Sequence, residues 1–165
     1  MEAEGVTHRA HVITVSDGVS AGTREDISGP ALRTLLINAD FEVSGPEVVP
    51  DKHERISDAI VAAVVGGADF VVTTGGTGLG PRDVTPQATS LLIDYEVPGL
   101  GELMRLAGAA STPMASLSRG VAGVRGHSLI LNVPGSMKGA TESLEAVLPI
   151  LGHAIQLLHG HTKHS

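Results

Sequence analysis

Residues 73–89 read TTGGTGLGPRDVTPQAT, with four glycines, two prolines and only Leu79, Arg82 and Gln87 as large side chains. Backbone without Cβ can approach a ligand closely, and successive N–H groups in such a turn can bind phosphate. The stretch lies between an apolar run and a helical pattern, so it is either a phosphate cradle or only a tight connection. It is not a P-loop, because no Gly-Lys-Ser/Thr follows, and a dinucleotide fingerprint begun at Gly76 meets Pro81 where glycine is needed. Two aspartates stand near it. Asp51 follows the strand end VVP, and Asp83 lies in the second half of the glycine stretch. Carboxylates beside a phosphate repel it unless a divalent cation intervenes, and Mg²⁺ binds through one or two carboxylates plus substrate phosphates. For Asp51 a second reading is a helix cap, paired with Glu54 in a capping-box variant. Asp83 has less of a structural alternative, because Thr85 is available as the cap.

Other chemistries fare worse. The chain has no cysteine, which excludes disulfides, thiolate metal sites and a cysteine nucleophile. His159, His161 and His164 cluster in HGHTKHS past the last helical pattern and read as a frayed tail. No HExxH occurs, His127 falls in a turn, and neither Ser118 nor Ser136 sits in a G-x-S-x-G elbow. Eleven Lys and Arg against eighteen Asp and Glu give a net charge of −7, without the basic footprint of a nucleic-acid binder. Aromatic residues at 2% supply no base-stacking platform. The segment MEAEGVTHRAH lacks the parts of a signal peptide, and the longest apolar run, AIVAAVV (59–65), is far below the ~18 residues of a membrane span. The expectation is a cytoplasmic protein with no membrane partner.

The elements that must carry these residues follow from patterning. AHVITVS (10–16) reads as a buried strand, DGVSAGTREDIS (17–28) as a polar loop, and 29–39 as a helix capped by Ser28. FEVSGPEVVP (41–50) is extended and broken at Gly45-Pro46. DKHERISDAIVAAVV (51–65) is a helix ended by Gly66-Gly67, and ADFVVTT (68–74) is the next strand. Thr85 caps a helix with Pro86 at its first position, running to about Tyr95. Pro98-Gly99 breaks the chain before a helix at 101–111. Residues 118–126 and 128–133 form a hairpin, and a long helix covers about 138–158. This alternation predicts a three-layer α/β sandwich, a mostly parallel sheet with helices on both faces and one antiparallel strand. One domain spans 9–160, after a disordered lead over 1–8 and before a flexible tail over 161–165. The loops 16–28, 75–85 and 134–136 should leave the same edge of the sheet, where ligands collect in such folds.

Taken in order, VSDGVSAG (15–22) with Asp26 and SGP (28–30), VVPD (48–51), the glycine stretch, SRGVAGVRG (118–126) and NVPGS (132–136) resemble one family. It is the molybdopterin-binding domain of molybdenum-cofactor biosynthesis proteins, including the MogA/MoaB group and the G domain of gephyrin. The resemblance covers about residues 10–160. It implies Mg-ATP-dependent adenylylation of molybdopterin with release of pyrophosphate, hand-over of the product to a molybdenum-insertion protein, and a homotrimer. Position by position, it implies Asp51 and Asp83 as catalytic residues that hold Mg²⁺, and Gly75, Gly76, Thr77 and Gly78 as the phosphate cradle. Ser16, Asp17, Ser20, Gly22 and Asp26 would line the nucleotide or pterin pocket. Ser118 and Arg119 would lie near the pterin phosphate, with Pro134, Gly135 and Ser136 closing the crevice. VPGSM (133–137) departs from the NPGNP of many relatives and looks more like the MoaB branch, in which a catalytically silent molybdopterin carrier is the alternative.

Overall fold

The computed structural model describes residues 5–162. Its sheet has the order β2-β1-β3-β6-β5-β4, formed by β1 (Arg9–Val15), β2 (Glu42–Val49), β3 (Phe70–Thr74), β4 (Tyr95–Glu96), β5 (Ala122–Arg125) and β6 (Ser128–Val133). β2, β1, β3 and β6 run parallel, and β5 is antiparallel to both its neighbours. Helices α2 (Ser28–Asn38), α5 (Pro98–Ala109) and α6 (Met137–Leu158) pack on one face; α3 (His53–Val65) and α4 (Thr85–Ser90) pack on the other.

Strand periodicity explains the two cores. Phe70 and Val72 join Leu32, Leu36, Leu144 and Leu151, while Val71 turns to Ile13, Ile56, Ile60 and Ile130. With both faces covered, all five residues of β3 are buried, which is why its sequence is a continuous run rather than an alternation. On α6, Ala140, Leu144, Val147, Leu151 and Ile155 recur at helical spacing and are buried. Truncating one of its leucines to alanine should cost about 2–5 kcal/mol.

The chain leaves β1 for β2 on one side and returns past it to β3 on the other. That reversal opens a crevice at the carboxyl ends of β1 and β3, the switch point of an α/β sheet. Residue 17 follows β1, residue 51 follows β2, residue 75 follows β3, and residue 134 follows β6, so all four loops share this edge.

Several local expectations are corrected. Ser28 is not a cap: α2 is preceded by Ile27, and Asp26 instead accepts the Gly29 N–H at 3.0 Å. Asp51 does not cap α3, whose N-cap is Lys52 with no side-chain bond, because its carboxylate is engaged by Asp17. Thr85 is the first residue of α4, not its cap, and α4 ends at Ser90 rather than near Tyr95. Tyr95–Glu96 forms an edge strand too short to show a pattern. Pro98 opens α5 instead of breaking the chain, its missing N–H costing nothing in a first turn. The polar loop after β1 holds a single-turn helix, α1 (Asp17–Ser20), and a 3-10 helix covers Pro113–Leu117. Gly45-Pro46 does not break β2: it bulges within the strand, where Gly45 at φ 85° passes so close to Val12 that a Cβ would meet its carbonyl oxygen.

At the opposite edge, His159 is not frayed. Its Nε2 lies 2.7 Å from Asp69 Oδ1 and its ring stacks on His127, so it ties the end of α6 to the sheet. His164, residues 1–4 of the expected lead and residues 163–165 of the expected tail lie outside the described residues. Of the rest of the lead, the His8 carbonyl accepts the Glu42 N–H at 2.9 Å. No helix among the described residues is long and apolar enough to cross a membrane.

Candidate functional site

The glycine stretch is held from behind by its carbonyls. Thr85, fully buried, donates its hydroxyl to Gly75 O at 3.0 Å and its N–H to Gly76 O at 3.2 Å. The Arg119 N–H bonds Thr77 O at 2.9 Å, and Arg119 Nε bonds Gly78 O at 2.9 Å. The Gly75 N–H donates to Val133 O. By contrast, the N–H groups of Gly76, Thr77 and Gly78 make no hydrogen bond among the described residues, and all three residues line a cleft. A run of unpaired N–H groups with fixed carbonyls is able to receive an anion.

Glycine is required here for packing as well. Gly75 and Gly76 sit at φ 105° and 69°, and a Cβ would fall on Val15 O or on Thr85 Oγ1. Glycine at 78 and 80 serves a different end. A Cβ at either would press on the Asp83 carboxylate, 2.9 and 2.8 Å from Oδ2. Asp83 Oδ2 accepts the Gly80 N–H at 2.9 Å, and the Asp83 N–H returns a bond to Gly80 O.

Asp17 and Asp51 exchange bonds across adjacent loops. The Asp17 N–H donates to Asp51 Oδ2 at 2.9 Å, and the Asp51 N–H donates to Asp17 Oδ1 at 3.0 Å. Arg82 forks onto Asp17, with Nε 2.9 Å from Oδ2 and Nη2 3.0 Å from Oδ1. The bond from Asp51 and the Arg82 guanidinium hold the Asp17 carboxyl below its ordinary value. Asp51 is pushed up, first by burial and then by the charges of Asp17 and Asp83, against the bond it receives from Asp17. In both Asp51 and Asp83 only Oδ2 is hydrogen-bonded among the described residues.

These residues fit Mg²⁺ in a specific sense. Among the described residues no group of three His, Cys, Asp or Glu is arranged to hold a metal. A cation here would rest on two carboxylates plus oxygens from a substrate or water, which Mg²⁺ accepts.

The cleft beside the cradle has a volume of about 580 Å³. Of the residues singled out in the sequence, Gly76, Thr77, Gly78, Asp83, Ser118, Pro134, Gly135 and Ser136 line it. Ser136 also caps α6 through the Gly139 N–H, and Gly135 passes so near Gly75 that an added Cβ would lie 3.3 Å from its Cα. Asp51 stands just behind Gly76. Ser16, Asp17, Ser20, Gly22, Asp26, Asp51, Gly75 and Arg119 do not line the cleft, and the Gly75 N–H is taken by Val133 O. Ser16 caps α1, Ser20 ends it, Gly22 makes an exposed turn at φ 76°, and Asp26 joins Thr14 to α2. Arg119 braces the cradle, with Nη2 on Asp83 O at 2.9 Å and Nη1 on Gln87 Oε1 at 3.3 Å.

Sequence reasoning missed two cations of the cleft, Arg105 and Lys138. Arg105 Nη1 holds the carbonyls of Ser118 and Gly120. Lys138 follows the capping Ser136 by two residues, a spacing that marks a first-turn cation beside the crevice. Arg105 had no such signal, because only folding brings α5 against the segment before β5. Asn132 was also missed as a hub. It is fully buried, donates to Thr73 and Thr89 hydroxyls, and accepts the Val121 N–H. Its neighbour Pro134 takes the Thr74 hydroxyl on its carbonyl at 2.8 Å.

Comparison with known proteins agrees with this geometry. Residues 11–153 match the family described as "probable molybdopterin binding domain". The chain is 39% identical to the molybdopterin adenylyltransferase of Helicobacter pylori J99, over 90% of this chain and 86% of that one. It is 40% identical to the molybdenum cofactor biosynthesis bifunctional protein of Synechococcus elongatus, over 92% of this chain but 47% of that protein, so it spans about half of that relative. Among solved structures, the molybdopterin biosynthesis enzyme MoaB of Thermus thermophilus superposes with a TM-score of 0.88 at 55% identity, covering 93% of this chain and 98% of that one.

Proposed function

The chain belongs to the molybdopterin-binding domain family of molybdenum-cofactor biosynthesis, and we propose that it adenylylates molybdopterin with ATP. The observation that carries this reading is the row of unpaired N–H groups at Gly76, Thr77 and Gly78, residues that line a cleft of about 580 Å³ together with Asp83, with Asp51 beside Gly76.

In the proposed reaction an oxygen of the pterin phosphate attacks the α-phosphorus of ATP. The bond from that phosphorus to the oxygen bridging to the β-phosphate breaks, and pyrophosphate leaves. The attacking oxygen is already anionic, so no proton has to be removed and no catalytic base is needed. What the protein must supply is position and charge neutralisation. The N–H groups of Gly76, Thr77 and Gly78 cradle phosphate oxygens, and Arg105 and Lys138 add positive charge along the cleft. Asp51 and Asp83 would hold Mg²⁺, which when bound offsets the charge on the transferring and leaving phosphates. Met104, Met114, Ala115 and Leu117 give the pterin or adenine ring an apolar wall. The product would then pass to a molybdenum-inserting protein.

A second reading is a silent molybdopterin carrier, for which the observation is the MoaB-like VPGSM at 133–137 in place of NPGNP. One experiment separates them. The purified protein is incubated with molybdopterin, ATP and Mg²⁺, and the pterin is analysed for bound AMP. Adenylylated pterin with stoichiometric pyrophosphate supports the enzyme. Pterin binding without product sinks that reading in favour of the carrier.

A further inference from the structure

We propose that Arg82 is a positioning residue that aims the Asp51 carboxylate by acting through Asp17; the importance of Asp51 rests on the adenylylation reading, the geometry does not. Three loops leave the sheet edge after β1, β2 and β3, and one guanidinium ties them together. Arg82, from the third loop, forks onto both oxygens of Asp17, from the first. Asp17 exchanges two backbone-to-carboxylate bonds with Asp51, from the second. The result fixes Asp51 Oδ2 on the Asp17 N–H and leaves Oδ1 beside Gly76, 3.1 Å from where a Cβ would stand.

This arrangement brings two carboxylates together, and like charges at such range repel. The guanidinium neutralises Asp17, so the exchange of bonds can persist while Asp51 remains ionised. A planar fork is needed to hold both Asp17 oxygens at once; an ammonium meets them as a point charge. The contact is exposed, 61% for the Arg82 side chain and 44% for Asp17, so solvent screens it and it adds little to stability.

The test uses the whole chain with Arg82→Gln and Arg82→Lys. In the metal-free protein, amide hydrogen exchange is read at the N–H groups of Asp17 and Asp51. Arg82→Gln should speed both by about fivefold, the upper range for losing an exposed ion pair, and Arg82→Lys should recover only part. Melting temperature should stay within about 2 °C of wild type. Binding of Mn²⁺ with a non-hydrolysable ATP analogue, read by electron paramagnetic resonance, should weaken by a similar factor in Arg82→Gln. Unchanged exchange at the two amides overturns the inference, as does faster exchange spread over the whole chain with a large fall in melting temperature. If the wild type itself binds no Mn²⁺, the metal reading of Asp51 falls, and the exchange measurement alone decides the role of Arg82.

Discussion

Arg119 Nη2 donates to the backbone oxygen of Asp83 at 2.9 Å, while the same guanidinium holds Gly78 O through Nε at 2.9 Å. One side chain thus spans the glycine stretch from cradle to carboxylate and sets the distance between them. An ammonium cannot bridge two carbonyls in that plane. Arg119→Lys should therefore behave nearly like Arg119→Ala. We expect each to lose about 2 kcal/mol of stability, the scale of a charged donor withdrawn from carbonyls. Turnover should fall more steeply than pterin binding. Urea unfolding and product assays on both variants check this; full activity in Arg119→Lys would refute it.

Asp83→Ala should abolish adenylylation and leave pterin binding intact. Its carboxylate contributes only one bond to the fold, from the Gly80 N–H on an exposed turn, so the stability cost should stay near 1 kcal/mol. Pterin titration by fluorescence alongside the product assay measures both. Product at the wild-type rate would remove Asp83 from the metal site.

Asp51→Asn should separate stability from function. Asp51 titrates above the ordinary aspartate value of 3.8, so its contribution to folding is present below that pH and lost as pH rises through the folded value. At neutral pH its charge opposes Asp17 and Asp83, and asparagine removes that cost while still accepting the Asp17 N–H. The variant should melt higher than wild type at pH 7, with the gain shrinking toward pH 4, and should make no product. Asp17 acts in the opposite sense. Its lowered value gives stability above pH 3.8 that is lost as pH falls through the folded value. Melting curves between pH 3 and 8 test both signs.

Gly76→Ala and Gly22→Ala should differ although both sites have φ near 70°. At Gly22 nothing lies within 4 Å of an added Cβ, so the cost is the left-handed backbone alone, about 1–2 kcal/mol. At Gly76 the Cβ also strikes the buried Thr85 hydroxyl, and the loss should approach about 3 kcal/mol. Only the Gly76 variant should lose nucleotide binding. Equal losses by chemical denaturation would show that the cradle tolerates a Cβ.

Much of the architecture could be read from patterning alone. Continuous β-branched runs such as 70–74 announce a sheet covered on both faces, and Ala140 to Ile155 recur at helical spacing, because burial of apolar surface dictates both patterns. Alternation also implied a mostly parallel sheet with the loops 16–28, 75–85 and 134–136 on one edge; the strand order, and the loop at 51 on that edge, came only from the fold. The glycine stretch and Asp83 stood out by residue type as places for chemistry, whereas Asp51 read by position as a helix cap and gained a metal role only from the family resemblance. The capping assignments failed at Ser28, Asp51 and Thr85, since a hydroxyl or carboxylate near a helix start looks the same whether it bonds its own helix or a distant loop. In each case a partner remote in sequence prevailed: Thr74 for Ser28, Asp17 for Asp51, Gly75 for Thr85. Bonds of this kind depend on which loops meet at the sheet edge. So do the clamps of Arg82 on Asp17 and Arg105 on Ser118, separated by 65 and 13 residues. Local patterning determined the elements and the cradle; only the tertiary meeting of the loops decided which oxygens are spoken for and which N–H groups and carboxylate oxygens remain free for a ligand.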